Sequence, residues 1–210
     1  QVVAAMNPTA GSFFIIDRMQ RHFATFGMPP PEAQVLSMMY SNIMAGHFEI
    51  FSEGVRTMLP NLIACATQVH LAVADRFVPS AVKFHYQWNL RALAAVFQGM
   101  CSTSPATFKK PEQIARLYMH EASRVYSDRM IAESDCEGFS EILIKAVDTH
   151  FGEYEKDVIK AEPNIYSTFV EEAEGDQKMY LPLEDYAHLS KLLTKQLAAY
   201  NESFAMMNLV

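Results

Sequence analysis

Cysteine is scarce. Cys65, Cys101 and Cys136 are the only three in 210 residues. They are far apart and odd in number, so no disulfide framework is expected and the thiols read as reduced, as in the cytosol. No run of 18 consecutive apolar residues occurs, which predicts no membrane span and no membrane partner. Basic charge is in deficit, with 17 Lys and Arg against 24 Asp and Glu, a formal net charge of −7. That balance argues against nucleic acid as a partner, because neutralising phosphates needs a basic face. There is no G-x-x-x-x-G-K-[ST] string to cradle phosphates, and no strand ending in paired carboxylates to hold magnesium. His120-Glu121 begins like a zincin motif, but the second histidine would have to stand at 124, where the residue is Arg124. The remaining histidines show no ligand spacing, and no serine or cysteine has a partnered base nearby in the sequence. Internal repeats and low-complexity tracts are missing. Half of the residues are hydrophobic and only 20% are charged, so a packed core is expected.

What is present begins with a strand-like run. Residues 2–6, VVAAM, have the length and bounding of a buried strand. The run stops at Asn7-Pro8-Thr9, and Ala10-Gly11-Ser12 is turn material. A polar side chain just past the end of a buried strand stands where open α/β sheets take their ligands. A basic segment with Arg18 and Arg21 follows, and then a second apolar run, 23–28. Spacing alone makes Asn7 a turn former and Arg21 a surface cation. The chain opens without an initiator methionine and closes on an uncapped apolar run, so a piece of a longer polypeptide is expected.

Pro29-Pro30-Pro31 ends the first region, since three prolines continue neither a helix nor a strand interior. Helical spacing predicts a helix over 32–48 with Val35, Met38, Met39, Ile43 and Met44 as its apolar face. A second is predicted over 54–77, kinked or shortened at Pro60, with Leu59, Ile63, Ala66, Val69, His70 and Val73 on one stripe. Residues 79–88 alternate and read as extended. Asn89 is placed to cap a helix over 90–100, with Leu90, Leu93, Val96 and Phe97 inward. Pro111 starts a helix to about 131, and 141–151 forms a shorter one. Strand signals at 164–170 and 178–183 precede a last helix over 183–206. The helical face of that last element would carry Tyr186, Leu189, Leu192, Leu193, Leu197 and Tyr200.

Three stretches together carry a family resemblance. MNPTAGSF followed by RMQRHF, FHYQWNLRAL at 84–93, and RLYMHEASRVYSDR at 116–129 closely resemble the third AAA+ module of axonemal dynein heavy chains. The resemblance covers nearly the whole chain. It implies that Asn7 is sensor 1, which orients the attacking water or contacts the γ-phosphate. Arg21 would be the arginine finger acting in trans on the neighbouring module's nucleotide. Arg18 is a second candidate finger, less well placed before the final core strand. Arg91 would be sensor 2, reaching the phosphates of its own module; read without the resemblance it is an exposed first-turn arginine. The family commonly has an acidic residue where this chain has Ala92, which leaves Arg91 without a local carboxylate.

The expected fold class is mainly α. It is a partial α/β AAA+ core edge (1–28), a helical AAA+ lid (29–155) and the N-terminal segment of the next module (156–210). The resemblance implies a part of the motor ring of an ATP-hydrolysing microtubule motor in the axoneme of a cilium or flagellum. ATP or ADP with magnesium would be bound in the parent protein, and none tightly by this chain alone. Its partners would be neighbouring AAA+ modules. Microtubules and dynein intermediate and light chains would engage other parts of the parent. Two alternatives are the lid of another AAA+ ATPase and a helical interaction module with no nucleotide role. A P-loop about 150 residues upstream would exclude the second.

Overall fold

Apolar residues spaced three and four apart dominate the sequence, and the structure that results is mainly helical. The structure is a computed structural model that describes residues 1–6, 15–170, 179–183 and 185–204. In chain order the helices are α1 (Asp17–Gln20), α2 (Ala33–Phe48), α3 (Glu53–Arg76), α4 (Leu90–Met100), α5 (Pro111–Tyr126), α6 (Glu133–His150), α7 (Lys156–Ile159) and α8 (Tyr186–Ser203). A 3-10 turn, Ser127–Arg129, extends α5, and β1 (Tyr166–Ser167) and β2 (Leu181–Pro182) lie between α7 and α8. Two compact units divide the described residues, Gln1–Glu32 and Ala33–Val210.

In the first unit, residues 1–6 and 23–28 form no strand, and Val2, Val3, Phe26 and Met28 are exposed. This corrects the expected strands. A strand needs a neighbour to take its backbone hydrogen bonds, and the one sheet among the described residues is the β1–β2 pair. The basic segment does form a short helix, α1, ended by Arg21.

The second unit is built around α3. Its buried residues, among them Val55, Met58, Leu62, Cys65, Val69 and Val73, cover most of the helix circumference. Helices α2, α4, α5 and α6 all pack against it. By length and composition α3 is apolar enough to cross a membrane, but more than half of that stretch is buried among the neighbouring helices, as in a core helix. Pro60 lies inside the helix without ending it. Aromatic contacts bind the layers: Tyr40 stacks on Phe97 at 4.3 Å, and Tyr126 lies 5.8 Å from Phe139. Helix α5 starts with Pro111, and Gln113 Oε1 accepts from the Lys109 and Lys110 amides at 2.9 and 3.0 Å.

Several expectations are corrected here. On α2 the buried row is Leu36, Tyr40, Met44 and Phe48, while Val35, Met38, Met39 and Ile43 are exposed. Residues 79–88 are an irregular loop, because their hydrogen bonds go to turns and side chains. On α4 Leu90 faces outward and Ala92 is buried instead. Helix α6 starts eight residues earlier than expected, with Glu133 and Asp135 favourably placed in its first turn. The expected strand over 164–170 shrinks to two residues, paired antiparallel with β2 as Tyr166↔Pro182 and Ser167↔Leu181. Helix α8 has no buried residue.

Candidate functional site

The loop before α4 is held from both sides. Trp88 Nε1 donates to Phe77 O at 2.7 Å. Buried Tyr86 donates its hydroxyl to Asp135 at 2.8 Å and accepts the Ile131 amide at 3.1 Å. Lys83 also pairs with Asp135. Hydrogen bonds from Lys83 and then Tyr86 hold the Asp135 carboxyl below its ordinary pKa. His85 Nε2 donates to Arg129 O at 2.9 Å, and Arg129 Nη2 donates back to His85 O at 2.9 Å. The Arg129 guanidinium then lies over the Trp88 ring at 4.8 Å. Together these contacts fix the chain entering α4, where the Asn89 side chain accepts from the Arg91 amide at 3.0 Å.

An open groove of about 590 Å³ lies at that helix start. Arg91, Arg124 and Arg129 line it together with His85 and Asn89, and no carboxylate is among its ten lining residues. Arg91 is exposed and makes no side-chain hydrogen bond or ion pair among the described residues. A cation in the first turn of a helix is opposed by the helix dipole, and an anion beside it removes the conflict. The groove suits a polyanion such as a phosphate chain.

Behind the groove α5 carries a buried carboxylate. The Glu121 side chain is 1% exposed. Its Oε2 accepts from Arg124 Nη2 at 2.7 Å and Nε at 3.0 Å. Its Oε1 accepts the Tyr180 hydroxyl at 2.5 Å. His120, next to it, joins the same cluster: Nδ1 donates to Asn164 O at 3.1 Å, and Nε2 lies 3.0 Å from Tyr180 Oη. Burial, followed by the hydrogen bond to Glu121, pushes the Tyr180 phenol well up. Burial works against the Arg124 charge, but the hydrogen bond and attraction of Glu121 outweigh it and raise its pKa. Arg116 Nη2 donates to Pro163 O at 2.9 Å, and Asn164 Nδ2 donates to Arg116 O at 3.2 Å. The polar positions of the 116–129 stretch thus tie α5 to the segment after α7.

The expected site residues fall in different places. Asn7 lies outside the described residues. Arg18 and Arg21 are exposed in the first unit, and Arg21 Nε approaches His22 Nε2 at 3.4 Å. Arg91 belongs to the second unit and joins Arg124 and Arg129. Asp135, Tyr86 and Tyr180 were not singled out by sequence reasoning, and Glu121 was weighed only as half of a zincin motif. Their pairings span 49 and 59 residues, and nothing local announces them.

The AAA+ lid domain family matches residues 62–161, from the middle of α3 to just past α7. The chain is 40% identical over 212 residues to "Dynein beta chain, ciliary" of Tripneustes gratilla. It is 40% identical over 212 residues to "Dynein axonemal heavy chain 17" of Mus musculus. Against "Dynein beta chain, flagellar outer arm" of Chlamydomonas reinhardtii it is 41% identical over 216 residues. Each comparison takes in 100% of this chain and 5% of the relative, so the chain spans about 5% of the length of the curated relatives it matches.

Proposed function

Since the chain belongs to the axonemal dynein heavy-chain family and carries an AAA+ lid domain, we propose that it serves as a nucleotide-sensing lid in the AAA+ motor ring of a ciliary or flagellar microtubule motor. In this reading residues 1–28 are the edge of the third module's α/β core, 29–155 its lid, and 156–210 the entry to the fourth module. The observation that carries it is the groove at the start of α4, lined by three arginines and no carboxylate, with Arg91 unpaired among the described residues.

Arg91 acts as sensor 2, in cis, on the phosphates of its own module. Asn89 holds its backbone in place, and the loop pinned by Tyr86, Asp135 and Arg129 holds Asn89. Asn7 is sensor 1, and Arg21 is the arginine finger reaching the preceding module's nucleotide in trans. ATP with magnesium supplies the transferable phosphoryl group; the P-loop and magnesium carboxylates that hold it are absent from these 210 residues. Neighbouring AAA+ modules are the direct partners. Microtubules and dynein intermediate and light chains engage the parent elsewhere.

The test is nucleotide occupancy at each site in two variants of the parent protein. Arg91→Ala weakens binding at the third site, roughly tenfold for one charge-assisted contact. Arg21→Ala leaves that site nearly unchanged. Where the preceding site hydrolyses, it slows turnover there by about 10³-fold. If Arg21→Ala empties the third site while Arg91→Ala does not, the two roles are wrongly assigned.

A further inference from the structure

The Arg124 guanidinium lines the groove beside Arg91, and it is half exposed there. Glu121 occupies its Nε and one Nη2 proton. Three of its five N–H donors therefore remain for a groove occupant. The carboxylate that orients it is almost fully buried, and its second oxygen is held by Tyr180, next to β2. Helix α4 makes room for this arrangement at Gly99. A Cβ there would stand 2.0 Å from Glu121 Oε2 and 2.2 Å from Cδ. One carboxylate thus touches the helix that carries Arg91, the helix that carries Arg124, and the chain leading into β2.

We propose that Arg124 is a second anion-binding residue of the groove. Glu121 positions it and, through its other oxygen, couples groove occupancy to the β1–β2 segment. The proposal rests on the reading of the groove as a phosphate-sensing site, and it goes further by naming the joint through which the lid and the following segment communicate. An arriving polyanion takes the remaining Arg124 donors and draws the guanidinium toward itself, lengthening its bonds to Glu121. As Arg124 is drawn toward the anion, its hold on Glu121 weakens and Glu121 takes more from Tyr180. The Tyr180 hydroxyl has one proton and two candidate acceptors, Glu121 Oε1 at 2.5 Å and His120 Nε2 at 3.0 Å. A stronger claim by Glu121 therefore weakens the His120 side of the cluster, which is anchored to Asn164 O just before β1. Binding energy at the groove is thereby differential between two arrangements of the β1–β2 segment, as any coupling requires.

Two readouts on the 210-residue chain test this. Trp88 is its only tryptophan and lies under Arg129, which lines the groove. The Leu183 amide, which donates to Ile165 O at 2.9 Å, reports the β1–β2 segment by hydrogen exchange. The probe is inorganic pyrophosphate, titrated through the millimolar range. In the wild-type chain pyrophosphate shifts Trp88 fluorescence and changes Leu183 exchange by about threefold or more. Arg91→Ala and Arg124→Ala each weaken the fluorescence response several-fold. Arg124→Lys, which keeps the positive charge beside Glu121, already weakens it because lysine lacks the fork. Tyr180→Phe retains pyrophosphate binding but abolishes its effect on Leu183. No fluorescence response in the wild type overturns the groove reading and this proposal together. A response lost in Arg91→Ala but equal to wild type in Arg124→Ala and Arg124→Lys overturns this proposal alone. So does a Leu183 response that survives Tyr180→Phe.

Discussion

His70 lies on α3 with 4% of its surface exposed, and its Nδ1 is 2.9 Å from Tyr126 Oη. As a neutral ring it accepts the Tyr126 hydroxyl proton through Nδ1, so no charge is needed and burial disfavours one. Burial lowers its pKa. Burial also lowers that of His120, against the attraction of Glu121 and the hydrogen bond to Asn164. In the unfolded chain both rings titrate near the ordinary histidine value of about 6.5. Below that pH the unfolded state binds more protons than the folded one, so stability rises with pH and is fully present above about 6.5. It is lost as the pH falls from there toward the depressed folded values. The lowered Asp135 and Asp148 act in the same direction in a separate, more acidic window, below the ordinary carboxylate value of about 3.9. The urea midpoint is therefore expected to drop between pH 7.5 and pH 5.5. Burial lowers His47 and His150 as well, in the same window and with the same sign, so equal midpoints at the two pH values would contradict the reading of all four rings.

At the scale of elements, burial is uneven. Helix α5 buries eight residues, Glu121 among them. The stretch 152–158 is exposed apart from Tyr154, and Lys156 within it and Lys160 just after it pair with Asp148 at 3.4 and 2.9 Å only on the surface. Such exposed pairs contribute little, about 0–1 kcal/mol. Trypsin is expected to cut at Lys156 or Lys160 before it cuts at Arg116 or Arg124, as mass spectrometry of early digests would show. First cleavage inside α5 would mean that α5 is not the protected centre of the lid. The existence of the helices was legible because capping and periodicity agree: Asn89 before α4 and Pro111 opening α5 both act locally. The inward face of α2 was not legible. Its two adjacent rows, Leu36-Tyr40-Met44-Phe48 and Val35-Met38-Met39-Ile43, are both apolar, and only packing against α3 selects between them. On α8 the helix was legible from its spacing, yet Leu193, Leu197, Tyr200 and Phe204 remain exposed, since periodicity says nothing of what covers a face. The place of Arg91 in the first turn of α4 was legible from Asn89 before it, whereas Glu121 and Tyr180 meet only in three dimensions.

At the scale of the whole molecule, a chain of net charge −7 carries a local groove with three arginines. The groove is open, with Arg91 exposed, the Arg124 side chain half exposed, and Arg129 partly buried over Trp88. Contacts between exposed charges are worth about 1 kcal/mol at best. Three of them reach about 3 kcal/mol, short of the 4.1 kcal/mol that corresponds to a millimolar dissociation constant. Tight nucleotide binding in P-loop proteins draws on a backbone cradle, a lysine and a coordinated magnesium ion. No G-x-x-x-x-G-K-[ST] string in the 210 residues supplies the first two. Sensing residues read a nucleotide that other residues hold, and catalysis by positioning fails when the group to be positioned is not held. The purified chain is therefore expected to bind ATP no tighter than about millimolar and to release no phosphate from it. Isothermal titration with magnesium-ATP and a phosphate-release assay check the two halves separately. Turnover that co-purifies with the chain through successive columns, and falls in Arg91→Ala, would show that these 210 residues hold a nucleotide by themselves.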